Sequence, residues 1–176
     1  DCFMFYDEEM LLDIRLNILN QFVDQFIIVE STYTHSGKKR DLIFNIQNYK
    51  KFKNKIKYHV VDKKPDEIET LNSYDSDHIK ENKTIMNAVW FENSQRNAIS
   101  NLLVSAEPTD QIIISDLDEI PNLEKINFKN IKNKLILFKQ KMFYYKFNLI
   151  LDQMTWCGSK SCKKAHLISP QWLREI

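Results

Sequence analysis

A chain of 176 residues with 43% hydrophobic and 12% aromatic content carries enough apolar material for one compact core, which excludes intrinsic disorder. Its 25 Lys and Arg stand against 24 Asp and Glu, so the formal net charge is +1 and no global field calls for nucleic acid or an anionic membrane surface. Only two glycines occur, Gly37 and Gly158, and neither G-x-G-x-x-G nor a Walker loop can be written from them, so a bound nucleotide diphosphate would need a metal and side chains.

In chain order, Cys2 to Tyr6 reads as a strand, followed by a helix from about Glu8 to Asn20. Leu12, Leu16, Leu19 and Val23 are spaced to form its apolar stripe. Phe26 to Val29 is the next strand, ending at Glu30, and Ser31 to Lys39 is a polar loop holding Gly37. Ile56 to Val61 is a third strand, and Lys63 to about Lys83 is polar and weakly periodic, as a surface excursion would be. Ile99, Leu102, Leu103 and Ala106 fall at i, i+3, i+4 and i+7, which predicts an amphipathic helix over Ser94 to Ala106. It feeds a strand at Ile112 to Ile114. After Pro121 come a short helix and two strands, Leu135 to Phe138 and Met142 to Phe147. The alternation of strands and helices predicts an α/β class, a single domain on a mostly parallel sheet.

Chemistry concentrates where Ile112-Ile113-Ile114 runs into Ser115-Asp116-Leu117-Asp118-Glu119-Ile120-Pro121. Three isoleucines in a row suit a central strand buried on both faces, and ligands of such sheets gather beyond the carboxyl ends of the strands. Asp116 and Asp118, two residues apart, leave an extended chain on the same side and can share a hard cation such as Mg²⁺ or Mn²⁺, with positions open for phosphate oxygens. The competing reading is a solvated acidic turn. Arg96 and Asn97, placed by this reading in the first turn of the Ser94 helix, would aim donors into the same crevice from an electropositive helix end. Arg96 would clamp a phosphate there, or else pair with Glu92 at i, i+4.

Cys2, Cys157 and Cys162 are too few for a disulfide framework, although a single Cys157–Cys162 bridge fits the spacing. Cys157, Cys162 and His166 match no common zinc spacing and lack a fourth ligand nearby. No run reaches the roughly 18 apolar residues of a membrane span, so this segment is expected to make no membrane contact. Asn82-Lys83-Thr84 is a glycosylation sequon, relevant only in the secretory pathway.

Several short motifs occur together in order: Phe5-Tyr6-Asp7-Glu8, Leu12-x-x-Arg15-Leu16, Val23-Asp24-x-Phe26-x-x-Val29-Glu30-Ser31, Ser36-Gly37-Lys38, Glu92-x-x-Gln95-Arg96-Asn97, Ile114 to Pro121 and Tyr144-Tyr145. In that order they resemble glycosyltransferase family 17, whose best-known members are the β-1,4-mannosyl-glycoprotein N-acetylglucosaminyltransferases. The resemblance implies a GT-A, Rossmann-like fold and an inverting transfer assisted by Mn²⁺ or Mg²⁺, with UDP-GlcNAc as the expected donor and a glycan or other hydroxyl as acceptor. Family members continue past Ser169-Pro170-x-x-Leu173-Arg174, so residues 1–176 read as one domain open to extension at both ends. The compartment would be cytoplasmic in a prokaryotic or viral source, and the Golgi lumen if an anchor precedes Asp1.

On this reading the metal falls to Asp118 and Asp116, with Asp116 also reaching the ribose. Glu30 and Tyr6 are candidates for the ribose and base, with a structural role the alternative for each. Arg96 and Asn97 are the candidates for the diphosphate. The base that takes the acceptor proton would be Glu119 or Glu92, with Asp152 third. Phe143, Tyr144, Tyr145 and Trp156 could wall a sugar site, or the first three could be core residues. Two competitors remain: an inactive transferase-like module, and a phosphohydrolase of the haloacid dehalogenase type. The latter wants Thr or Val where Ile120 stands, and a downstream acidic pair that this chain lacks.

Overall fold

The computed structural model describes residues 1–145 and 148–176. Six strands form one sheet in the order β3-β2-β1-β4-β8-β5, with β1 at Cys2–Phe5, β2 at Phe26–Ser31, β3 at Ile56–Val61, β4 at Gln111–Ile114, β5 at Leu135–Leu137 and β8 at Lys160–Lys163. β1 to β4 are mutually parallel, whereas β8 runs antiparallel between β4 and β5. A separate two-stranded ribbon pairs β6 (Gln140–Phe143) with β7 (Ile150–Trp156). The mixed α/β architecture and mostly parallel sheet agree with the expectation from the alternating pattern.

The side-chain period of two divides the core between the sheet faces. Phe3, Phe5, Phe26, Ile28 and Ile113 point to one face, where they meet Leu12, Leu16 and Leu19 of α1 (Glu9–Leu19) and Val23 beyond it. Cys2, Ile27, Val29, Ile112 and Ile114 point to the other, against Ile99, Leu103 and Leu173. Each fully buried Leu or Phe contributes about 1.5–3 kcal/mol, so these two layers dominate stability and hold the strand ends in place.

The helix before β4 differs from expectation. It is α2, Asp77–Asn97, N-capped by the Ser76 hydroxyl accepting from the Ile79 amide, and it passes into a 3₁₀ turn at Ala98–Leu102. Its first three turns carry mainly solvated polar residues and have no apolar stripe to reveal them, so this stretch read as a surface excursion. The apolar spacing at Ile99, Leu102 and Leu103 is real, but those residues lie after the helix. The segment after Pro121 forms turns and a 3₁₀ turn at Phe128–Asn130. β6 ends at Phe143, and Phe147 lies outside the described residues. β7, β8 and the last helix, α3 (Pro170–Glu175), had no counterpart in the sequence reading. Cys2, Cys157 and Cys162 are all free, so no Cys157–Cys162 bridge forms. Among the described residues no helix is long and apolar enough to cross a membrane.

Candidate active site

The acidic segment leaves β4 at its carboxyl end and turns tightly, the Glu119 amide donating to the Asp116 carbonyl at 3.1 Å. Arg15 holds this turn from below. Its guanidinium, fully buried, donates to the carbonyls of Asp116, Leu117 and Glu119 at 3.0–3.1 Å and to the Asp1 carboxylate at 2.8 and 2.9 Å. Burial lowers the Arg15 pKa to about 10, against the opposing pull of Glu119. Buried carbonyls must be paired, and one side chain satisfies three of them. Ser159 adds a fourth tie, its hydroxyl donating to the Glu119 carbonyl at 2.9 Å.

The carboxylates of the turn have different fates. Asp116 Oδ1 takes Arg96 Nη2 at 2.9 Å, and Oδ2 takes Arg174 Nη2 at 2.7 Å. Burial pushes the Asp116 pKa up, but the Arg174 hydrogen bond and the Arg96 charge outweigh it and hold the carboxyl below the ordinary carboxylate value. Glu119 is buried, its Oε2 accepting the Asp116 amide at 3.0 Å while Oε1 accepts from the Trp156 indole and from Arg174 at 2.9 Å. Gly158 leaves room for this arrangement, since a Cβ there would fall 1.6 Å from Glu119 Oε1. Asp118 is exposed, and its carboxylate has no hydrogen-bond or ion-pair partner among the described residues.

Asp116 and Asp118 open onto a cleft of about 670 Å³ that is also lined by Tyr6 and Glu8 just after β1, His35 from the loop after β2, and Glu92 and Arg96 from α2. At this end the carboxylates of Glu8, Glu92, Asp116, Asp118 and Glu119 stand with the guanidiniums of Arg96 and Arg174, while Arg15 is matched by Asp1. Five carboxylates against two guanidiniums leave this end of the sheet negative. An anion about 4 Å from one uncompensated carboxylate is opposed by roughly 4 kcal/mol at an effective dielectric of about 20. A negative rim of this kind opposes a bare phosphate.

Residues 1–168 match the model of glycosyltransferase family 17. The chain belongs to glycosyltransferase family 17. Compared with curated proteins and with solved structures, it matches none. A family 17 glycosyltransferase requires a nucleotide-sugar donor and an acceptor, and the acidic strand end therefore belongs to a transferase and not to a dehalogenase-type hydrolase.

In this glycosyltransferase the cleft brings together Tyr6, Glu92, Arg96, Asp116 and Asp118, and leaves three other candidates aside. Glu30 is fully buried, and its oxygens accept from the amides of Ile43 (2.8 Å) and Phe44 (3.1 Å) and the Tyr58 hydroxyl (2.7 Å), with Arg40 at 3.0 Å. No Glu30 oxygen remains for a ribose. Asn97 sits in the last turn of α2, where its Oδ1 accepts the Gln171 amide at 3.0 Å. Glu119 is bonded through both oxygens and does not line the cleft.

Arg96 also occupies the last turn, so the expectation of an electropositive helix start is overturned: the carboxyl end of a helix is its negative pole, which favours a cation. Arg96 makes the i, i+4 pair with Glu92 at 2.8 Å as well as the pair with Asp116. Asp116 takes one arginine on each carboxylate oxygen while its side chain remains partly exposed to the cleft beside Asp118. Tyr6 is half-exposed, with the Arg40 guanidinium 4.3 Å from its ring centre. Asp152, Phe143, Tyr144 and Tyr145 lie exposed on the ribbon, so the aromatics are not core residues. Cys157, Cys162 and His166 form no metal cluster, since no group of three or more His, Cys, Asp or Glu residues that could hold an ion occurs among the described residues.

Sequence reasoning missed Arg15 and Arg174 as parts of the site. Arg15 left a signal, because it stands three residues after Leu12 and four before Leu19, on the buried stripe. Arg174 left none beyond its place in a short C-terminal segment.

Proposed function

We propose that this family 17 glycosyltransferase has a GT-A fold and transfers GlcNAc from UDP-GlcNAc, with inversion, to a hydroxyl of a glycan or similar acceptor. Asp118 is its metal-binding carboxylate. The observation that carries this reading is the pairing of an open Asp118 with an arginine-bound Asp116 at the rim of a negative cleft. The donor set fits Mn²⁺ or Mg²⁺ under one condition. Asp118 supplies hard oxygens, and with no three-residue cluster available the remaining positions must come from diphosphate oxygens and water, as is usual for Mg²⁺ held by one or two carboxylates. When bound, the cation supplies charge stabilisation for the departing diphosphate.

The chain's own residues do the remaining work. Arg15 fixes the backbone of the turn so that the Asp118 carboxylate projects into the cleft at a constant position. Tyr6 offers a half-exposed ring for the base. Glu92 lines the cleft with its one ion pair to Arg96 and takes the acceptor's hydroxyl proton, a role for which Glu119 lacks an unbonded oxygen. The exposed aromatics of the ribbon, Phe143, Tyr144 and Tyr145, support an acceptor wall, since sugars stack on such rings.

Incubation with Mn²⁺ and a panel of UDP- and GDP-sugars tests the proposal. UDP should appear from UDP-GlcNAc, and only when Mn²⁺ or Mg²⁺ is present. Release from a GDP-sugar alone, or equal release in EDTA, would contradict it.

A further inference from the structure

The family match ends at residue 168, yet a side chain beyond it reaches the centre of the candidate site. We infer that Arg174, on the six-residue C-terminal helix α3, is a positioning residue for the donor site: by bonding Asp116 and Glu119 together it fixes the acidic turn, so that Asp118 is held in one position at the cleft. This rests on the proposed donor reading. One nitrogen of Arg174, Nη2, lies 2.7 Å from Asp116 Oδ2 and 2.9 Å from Glu119 Oε1, and Nη1 donates to the Gly158 carbonyl at 3.3 Å. Glu119 in turn accepts the Asp116 amide and the Trp156 indole, so the guanidinium ties three chain segments to one point. Burial works against its charge, but the bond to Asp116 prevails and raises its pKa.

α3 has its own means of staying docked. Leu173 is buried in the second core layer, the Gln171 amide donates to Asn97, and Lys160 Nζ donates to the Arg174 backbone carbonyl, while Ser169 caps the helix by accepting the Trp172 amide at 3.1 Å. A helix held by three anchors does not need Arg174 to stay in place. Without Arg174, the tie between Asp116 and Glu119 would be lost, and the turn that carries Asp118 would no longer be held in one position. Glu119 would at the same time be left part-buried with one partner fewer, which loosens the turn.

Arg174→Gln and Arg174→Lys separate positioning from docking. In ligand-free protein, NMR should show the Trp156 indole N–H and the 115–119 amides shifted and exchanging at least tenfold faster in Arg174→Gln. The Trp172 indole, on α3 itself, should be unmoved. Calorimetry with UDP and Mn²⁺ should show at least a tenfold loss of affinity, partly restored in Arg174→Lys because the charge is kept. Should the glutamine variant fail to fold, Arg174→Lys is read in the same way, with smaller changes. A moved Trp172 signal would make Arg174 a docking residue and overturn the proposal, as would a loosened turn with unchanged UDP affinity, or a weakened affinity with the turn intact. A wild-type chain that binds no UDP with Mn²⁺ would instead overturn the donor reading, while Trp156 and the turn amides still decide the positioning.

Discussion

The carboxyl ends of β2 and β4 lie in one sheet and both carry acids, but they use them in opposite ways. At the end of β2, Glu30 is fully buried, and the chain from Arg40 to Phe44 folds back over it, with Tyr58 adding a hydroxyl. At the end of β4, Arg15, Arg96 and Arg174 take up the backbone carbonyls, Asp116 and Glu119, and leave Asp118 exposed. An acid at a strand end is thus a site only if the fold leaves it an oxygen. The first cluster locks a loop, and the second builds a platform for one free carboxylate.

The largest effects should come from the locked acids and cations. Arg15→Met removes five hydrogen bonds and leaves the Asp1 carboxylate and the Leu117 carbonyl without the donors they have here, at a cost of about 3–5 kcal/mol by urea unfolding. Glu30→Ala should cost a similar amount, with UDP affinity at saturating Mn²⁺ unchanged in the folded fraction. Retained stability in Glu30→Ala would break the comparison. Gly158→Ala forces a methyl against Glu119 and should cost about 1–3 kcal/mol, read as a lower melting temperature. Arg96→Lys keeps the charge but cannot reach Glu92, Asp116 and Gln171 together. It should destabilise by about 1–2 kcal/mol through lost charge-assisted bonds.

Acid sharpens the same contrast. Because the folded Asp116 pKa lies below its unfolded value, this group's stabilisation is complete above the unfolded value of about 3.9 and is lost as pH falls through the folded one. Stability measured in urea should therefore decline below about pH 4, and Asp116→Asn should decline less steeply over that window.

Much of the frame was legible in the sequence. Ile112 to Ile114 announced a buried strand, and the Leu12, Leu16, Leu19, Val23 stripe announced α1, because burial leaves a periodic trace. α2 was half hidden, since a helix that projects polar residues into water has no stripe, and the error placed Arg96 at the wrong pole. β8 was invisible for a different reason. Its residues Lys160, Ser161 and Cys162 are buried without being aliphatic, with Ser161 satisfied by donating to the Ile112 carbonyl at 2.7 Å. Of the site, the acidic motif could be read, but which of its acids stays open could not. That depends on arginines that lie, in sequence, 101 residues before Asp116 and 58 after it.

The smallest expected change in stability belongs to the residue at the centre of the account. Asp118→Asn alters an exposed carboxylate without a partner and should leave the melting temperature within the range of ordinary surface substitutions, about 0.5 kcal/mol. Titration of UDP into the wild type and this variant, with and without Mn²⁺, is the most direct test. The account predicts that Mn²⁺ raises wild-type UDP affinity at least tenfold and has no such effect on Asp118→Asn. Equal enhancement in both proteins, or none in the wild type, would contradict it.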